Sequence, residues 1–209
     1  MNCYEPSLDA GILSGGLGRR MGGLDKGLVR FRGRPMAAHV HDALQPSVER
    51  VWINCNRNSS SYREISPWLC HDAMPDFSGP LAGLLALLES SQAEYLIVAP
   101  CDTPLLSPSY AQQMRNGLLR ILATEASPEC PLVLAARCGE RIQPLHLCLA
   151  RTARGLVSTR LTQGKLKVLD WLHAAQARFI DFPVNDPRFD NFNQPTHLDD
   201  PDGTTTPSA

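Results

Sequence analysis

The chain has 209 residues, 43% of them hydrophobic and 20% charged, a length that favours one domain and a composition ordinary for a globular protein. Its 20 basic and 21 acidic residues leave a net charge of −1 with no block of like charge, which excludes the broad basic footprint of a nucleic-acid binder. A domain this long buries about 70% of the surface its unfolded chain exposes, so neither a disulfide framework nor disorder is expected.

The elements follow in chain order. A short apolar strand over Ala10–Leu13 runs into a loop, with six glycines between Gly11 and Gly23. Pro35–Leu44 is expected as a helix with proline in its first turn, and Val48–Asn54 as a strand ending in an Asn-rich turn. A weak strand ends at Leu69–His71, and Gly79-Pro80 opens a strongly apolar helix over Leu81–Leu88. Tyr95–Ala99 is a continuous apolar run of the kind buried in parallel sheets, and it stops at Pro100. Ser107-Pro108 starts another helix. Leu132–Ala136 and Leu145–Leu149 are expected as strands, a hairpin about Cys138-Gly139-Glu140. Helices over Thr152–Leu161 and Leu166–Gln176 and a strand over Phe179–Phe182 complete the pattern. Strand alternating with helix predicts an α/β fold, Rossmann-like and three-layered, with a central mostly parallel sheet. In such a sheet, ligands bind at the carboxyl ends of the strands, near a topological switch point. One domain is expected over 1–199, with a polar, disordered tail over 200–209.

Seven cysteines, at 3, 55, 70, 101, 130, 138 and 148, include no C-x-x-C pair. They read as reduced thiols packed as small hydrophobes, which points to the cytoplasm. Met1–Asp9 lacks the cationic start and apolar run of a signal peptide, and no apolar stretch reaches the roughly 18 residues of a membrane span. Of the 20 basic residues only three are lysines, at 26, 165 and 167.

The loop after the first strand reads Leu13-Ser14-Gly15-Gly16-Leu17-Gly18-Arg19-Arg20-Met21-Gly22-Gly23-Leu24-Asp25-Lys26-Gly27. Its glycines let backbone N–H groups converge as a nest for phosphate oxygens. Arg19, Arg20 and Lys26 add mobile positive charge, so a polyphosphate is the natural guest. A Walker A loop is excluded, because Leu24-Asp25 stand where Lys-Ser/Thr must follow Gly23. The dinucleotide fingerprint fails too, because Met21 occupies the third glycine's place. Asp102 follows the best strand, in Ala99-Pro100-Cys101-Asp102-Thr103-Pro104, where a carboxylate is placed to hold a hard cation. His39 and His41, two apart on a helix, cannot chelate one metal. His146, within an apolar strand, reads as a satisfied polar residue rather than a catalyst.

The run Leu13-Ser14-Gly15-Gly16-x-x-Arg19-Arg20-Met21-Gly22-Gly23-x-Asp25-Lys26-Gly27 resembles the signature loop of the nucleotidyltransferase superfamily, and within it the molybdenum cofactor guanylyltransferase family. The likeness spans roughly residues 9–198 and is strongest before 105; Ser14 stands where the family usually has Ala. It implies a Mg-dependent nucleotidyltransferase that moves GMP from GTP to the terminal phosphate of molybdenum-bound molybdopterin. The products are the guanine dinucleotide cofactor and pyrophosphate. Arg19, Lys26 and Asp102 are implied as catalytic, with Asp102 the ligand of Mg2+. Leu13, Ser14, Gly15, Gly16, Lys26, Asn54, Asp72, Gly79, Pro80, Leu81 and Asp102 are implied to bind the nucleotide. Gly79-Pro80-Leu81 would close over the base; Asn56 and Arg57 stay unassigned, and Arg20 either shares the phosphates or pairs with Asp25. Lys165, Lys167, Asn191 and Asn193 are implied to face molybdopterin, which gives the N-terminal part to the nucleotide and the C-terminal part to the pterin. A solvated helix terminus accounts equally for the two lysines. Contact with a molybdenum-insertion protein or a molybdoenzyme chaperone is implied as well. Two other readings of the same fold are a CTP-dependent molybdopterin cytidylyltransferase and a non-catalytic nucleotide-binding scaffold.

Overall fold

A computed structural model of the chain describes residues 5–15, 24–72, 79–124 and 131–192. In chain order its strands are β1 (Leu8–Leu13), β2 (Arg30–Phe31), β3 (Arg34–Pro35), β4 (Val51–Asn54), β5 (Leu69–Cys70), β6 (Tyr95–Pro100), β7 (Val133–Cys138), β8 (Arg141–Ala150) and β9 (Arg178–Phe182). The helices are α1 (Met36–Leu44), α2 (Ser59–Arg63), α3 (Pro80–Ser90), α4 (Pro108–Thr124), α5 (Arg154–Thr162) and α6 (Val168–Ala174). Seven strands form the central sheet in the order β5-β4-β1-β6-β8-β7-β9. β5, β4, β1 and β6 pair in parallel, as do β7 and β9; β8 alone is antiparallel to its neighbours. The expected mostly parallel α/β sheet is therefore what the chain forms.

Period-2 alternation gives the sheet two apolar faces. Ala10, Ile12, Ile53, Ile97 and Ala99 pack beneath α1 and α4, with Val40, Leu44, Tyr110 and Met114. Leu13, Leu96, Val98, Leu147 and Leu149 pack against α3, α5 and α6, with Leu84, Leu88, Val157 and Trp171. α3 is buried along almost its whole length, as its leucines predict. These two layers flanking the sheet make the three-layer architecture.

Several boundaries differ from the sequence reading, each for a physical reason. Val48–Arg50 is not strand: the Val48 amide closes a 3-10 turn on the Gln45 carbonyl, so β4 begins at Val51. β8 begins at Arg141 rather than Leu145. Pro144, which lacks an N–H, sits where the β7–β8 register jumps, Ala135 opposing Leu147 and Ala136 opposing Gln143. The hairpin β2–β3 turns through Arg32 and Gly33, both at positive φ (47° and 77°), as a two-residue hairpin of this hand requires. Neither it nor α2 has enough apolar periodicity to be read from sequence. The tail over 200–209 lies outside the described residues. Among the described residues no helix is long and apolar enough to cross a membrane.

Candidate active site

The carboxyl ends of four strands lie side by side. Leu13 of β1 is level with Asn54 of β4 and with Pro100 of β6, and Asn54 with Cys70 of β5. Two backbone bonds seal this edge: the Ser14 amide donates to the Asn54 carbonyl (2.9 Å) and the Cys101 amide to the Leu13 carbonyl (3.1 Å). From β1 the chain moves out to β4 and β5, then crosses back to β6 on the other side. The segments Ser14-Gly15, Asn54–Asn56, His71-Asp72 and Cys101-Asp102 thus leave the sheet together at the topological switch point, where open α/β sheets bind ligands.

On one side of this crevice Asn54, Asn56 and Asp72 interlock. Asn54 Nδ2 donates to Asp72 Oδ1 (2.9 Å), and Asn56 Nδ2 donates to Asp72 Oδ2 (2.8 Å) and to the Gly15 carbonyl (3.2 Å). Asn56 Oδ1 accepts from the Asp72 amide in return (3.0 Å). Asn54 is 1% exposed, and glycines make its position possible. A Cβ on Gly83 of α3 would fall 2.4 Å from Asn54 Oδ1, and one on Gly15 would fall 2.7 Å from it. α3 opens at the same crevice: Gly79, at φ 144°, occupies its N-cap and Pro80 its first turn, so the positive end of the helix faces the site.

On the other side Lys26 Nζ lies 3.3 Å from Asp102 Oδ2, both side chains partly exposed. The Asp102 carbonyl accepts from the Phe192 amide (2.9 Å). The Phe192 ring packs edge-on against Phe31 of β2, centroids 4.9 Å apart, beside Met36. Asn191 is thereby brought next to Asp102. Beneath the site, His146 Nε2 meets Thr103 Oγ1 (3.3 Å), and its ring stands edge-on to Phe189 and Tyr110. Burial pushes the His146 pKa down to about 3, so it is neutral, a packed histidine as its alternation predicts. Burial, reinforced by the Asp102 charge, lifts the Cys101 thiol to about 12, and burial lifts Cys148 to about 12 as well. Neither is a nucleophile at neutral pH. Cys55, Cys70, Cys101, Cys138 and Cys148 are all free and buried.

The structure therefore gathers Leu13, Ser14, Gly15, Lys26, Asn54, Asp72, Gly79, Pro80, Leu81, Asp102 and Asn191 at one edge of the sheet. Gly16, Arg19, Arg20 and Asn193 lie outside the described residues. Lys165 and Lys167 sit exposed on the turn between α5 and α6. The chain enters α5 at the opposite edge, where the Arg151 amide donates to the Glu94 carbonyl, and α6 returns it there to begin β9. Among the described residues no group of three or more His, Cys, Asp or Glu could hold a metal ion, so Asp102 offers one carboxylate and not a cage. Sequence reasoning left Asn56 and Arg57 without roles and missed Tyr62 and Asn58. The pair Asn54-x-Asn56 was the available signal, since alternate residues at a strand end can reach one partner. Asp25, left open as a partner of Arg20, is met by Arg57, Asn58 and Tyr62, while Arg20 itself lies outside the described residues.

A switch-point crevice with a lysine–aspartate pair on one side of it defines an open α/β protein built to hold a ligand at the carboxyl ends of its strands. The family model described as the MobA-like NTP transferase domain matches residues 10–177, and the chain belongs to that family: it is a nucleotidyltransferase. It is 37% identical over 191 residues to a molybdenum cofactor guanylyltransferase of Shewanella loihica, covering 91% of this chain and 93% of that one. It is 38% identical over 179 residues to the protein of the same name from Shewanella putrefaciens, covering 84% and 88%. The crystal structure of the molybdopterin-guanine dinucleotide biosynthesis protein A from Archaeoglobus fulgidus superposes with a TM-score of 0.68, at 22% identity over 91% of this chain and 94% of that one. At that identity the likeness is one of fold.

Proposed function

We propose that this nucleotidyltransferase acts in molybdenum cofactor biosynthesis, moving GMP from GTP to the terminal phosphate of molybdopterin. An acceptor phosphate oxygen forms a bond to the α-phosphorus of GTP. The bond from that phosphorus to the α–β bridging oxygen breaks, and its electron pair leaves with pyrophosphate. The acceptor is already anionic near neutral pH, so the step asks for positioning and charge neutralisation, not a strong general base. The observation that carries this reading is the Lys26–Asp102 pair, 3.3 Å apart, with Asp102 just beyond the carboxyl end of β6, in a chain whose relatives bear the guanylyltransferase name.

Lys26, with Arg19, holds the β and γ phosphates. The Ser14 amide is committed to Asn54, so the backbone nest begins at Gly15. Asp72 reads the base. Its carboxylate is fixed by two asparagine amides yet keeps a lone pair on each oxygen, and guanine offers N1–H and N2–H where cytosine offers no such pair. Gly79-Pro80-Leu81 closes over the base from the start of α3. Asn191, beside Asp102, faces the acceptor, and Lys165 and Lys167 supply charge for its phosphate. The donor set suits Mg2+, which usually takes one or two carboxylates and fills its shell with phosphate oxygens and water. Bound at Asp102, it would supply Lewis-acid neutralisation of the triphosphate. The five buried free thiols suit a reducing compartment, and we assign the enzyme to the cytoplasm.

Calorimetric titration of the full chain with each of the four nucleoside triphosphates, with Mg2+ present, tests this reading. GTP is expected to bind tightest, and Asp72→Asn to erase its advantage over CTP. A preference for CTP would move the protein to cytidylyl transfer. Tight GTP binding with no dinucleotide formed from molybdopterin would make it a nucleotide-binding scaffold.

A further inference from the structure

We propose that Asp25 is a positioning residue: gripped by Tyr62, Asn58 and Arg57, it anchors the far end of the glycine-rich loop and aims Lys26 at Asp102. The inference rests on the reading of that loop as the triphosphate site. The Asp25 side chain is 6% exposed. Its Oδ1 accepts from Tyr62 Oη (2.5 Å), its Oδ2 accepts from Asn58 Nδ2 (3.0 Å), and Arg57 Nε lies 3.6 Å from Oδ2. Arg57 also donates to the Leu24 carbonyl (2.8 Å). All these donors come from one stretch, residues 57–62, that links β4 to α2 and forms most of α2.

Two features mark this grip as more than packing. A buried carboxylate is a costly way to hold a turn, and an apolar side chain would stabilise the position more cheaply. Asn58, moreover, occupies the N-cap of α2 at φ 52°, yet its side chain caps nothing. The helix forgoes a cap worth about 1 kcal/mol, and the amide is spent on Asp25. Gly27 completes the arrangement. A Cβ there would fall 2.3 Å from Tyr62 Oη and 3.0 Å from Ser14 Oγ, so the 3-10 turn Lys26–Leu28 lies directly on the tyrosine hydroxyl. The Ser14 hydroxyl is buried in the same pocket, beside Gly27 and Tyr62. Asn56, immediately before the stretch that grips Leu24-Asp25, holds the Gly15 carbonyl. One connection, residues 54–62, thus pins both ends of the loop, and Lys26 leaves its second anchor with a fixed reach to Asp102.

Lysine labelling with an amine-reactive reagent, quantified by mass spectrometry on the full chain without nucleotide, tests the proposal. Lys165 and Lys167 serve as internal standards. In Tyr62→Phe, which keeps the buried ring, labelling of Lys26 is expected to rise about threefold or more while the other two stay constant. Unchanged Lys26 labelling would overturn the proposal. Binding of GTP supplies the second arm. Tyr62→Phe is expected to weaken it about tenfold in the wild-type background and less than about twofold in Lys26→Ala, because residues acting through one another are non-additive. Equal losses in both backgrounds would show a role independent of Lys26 and refute the proposal. Wild-type protein that binds no nucleotide would refute the triphosphate reading instead, and the labelling arm would still decide the clamp.

Discussion

Acid should destabilise this protein through one buried ring. His146 is 3% exposed, and burial lowers its pKa from 6.5 to about 3. The folded state therefore keeps the ring neutral while the unfolded chain takes up a proton below pH 6.5. The stability of the neutral state is fully present above pH 6.5. It falls as the pH drops toward 3, since the unfolded state then binds more protons. At one proton per unfolded chain the loss is about 1.4 kcal/mol between pH 7.5 and 5.5, and about 2.7 kcal/mol by pH 4.5. The ring lies under Thr103, next to Asp102, so the platform of the site is what acid loosens. Urea unfolding of wild type and His146→Leu at pH 7.5, 5.5 and 4.5 measures this. The substitution changes stability at pH 7.5 by packing alone, and the informative quantity is the dependence on pH. His146→Leu should remove most of the acid-dependent loss. Parallel losses in the two proteins would refute the assignment of the acid sensitivity to this histidine.

Two glycine-to-alanine changes in helices should have opposite signs. Gly83→Ala puts a Cβ against Asn54 Oδ1, an overpacking that costs about 1–3 kcal/mol, and it should weaken GTP binding as well as lower the melting temperature. Gly155→Ala in α5 meets nothing within 4 Å, so it should raise stability by up to about 1 kcal/mol and leave GTP binding unchanged; thermal melts with calorimetry compare the two. Phe192→Ala removes the ring packed on Phe31 that seats Asn191 beside Asp102. Steady-state kinetics should show a raised KM for molybdopterin with GTP affinity kept within about twofold; an equal loss for both substrates would contradict that division of labour.

What the sequence made legible was local or periodic. Tyr95–Ala99 is a central strand because its apolar run has no other stable place than between two layers. The glycine loop and Asp102 announced themselves by composition at strand ends. The hidden parts depend on partners far apart in the chain. Asp25 meets Tyr62 across 37 residues, and nothing near Asp25 distinguishes a buried, gripped carboxylate from one on a solvated turn. Asn54 was found by resemblance, but that its amide is spent on Asp72 follows only from the parallel pairing of β4 with β5. Pro144 hid the first four residues of β8, because a proline inside an expected strand is usually its end and here marks a register shift. β2 and β3, two residues each, carry no period at all, and yet Phe31 of β2 is the ring on which Phe192 settles.

The most direct test of the central claim is pyrophosphate release from each of the four nucleoside triphosphates, with Mg2+ and intact molybdopterin, for wild type beside Asp102→Ala. Release from GTP, falling by at least about a hundredfold in the variant, is the predicted result. Release from GTP that survives the loss of Asp102, or no release from any nucleotide by the wild type, would contradict the account.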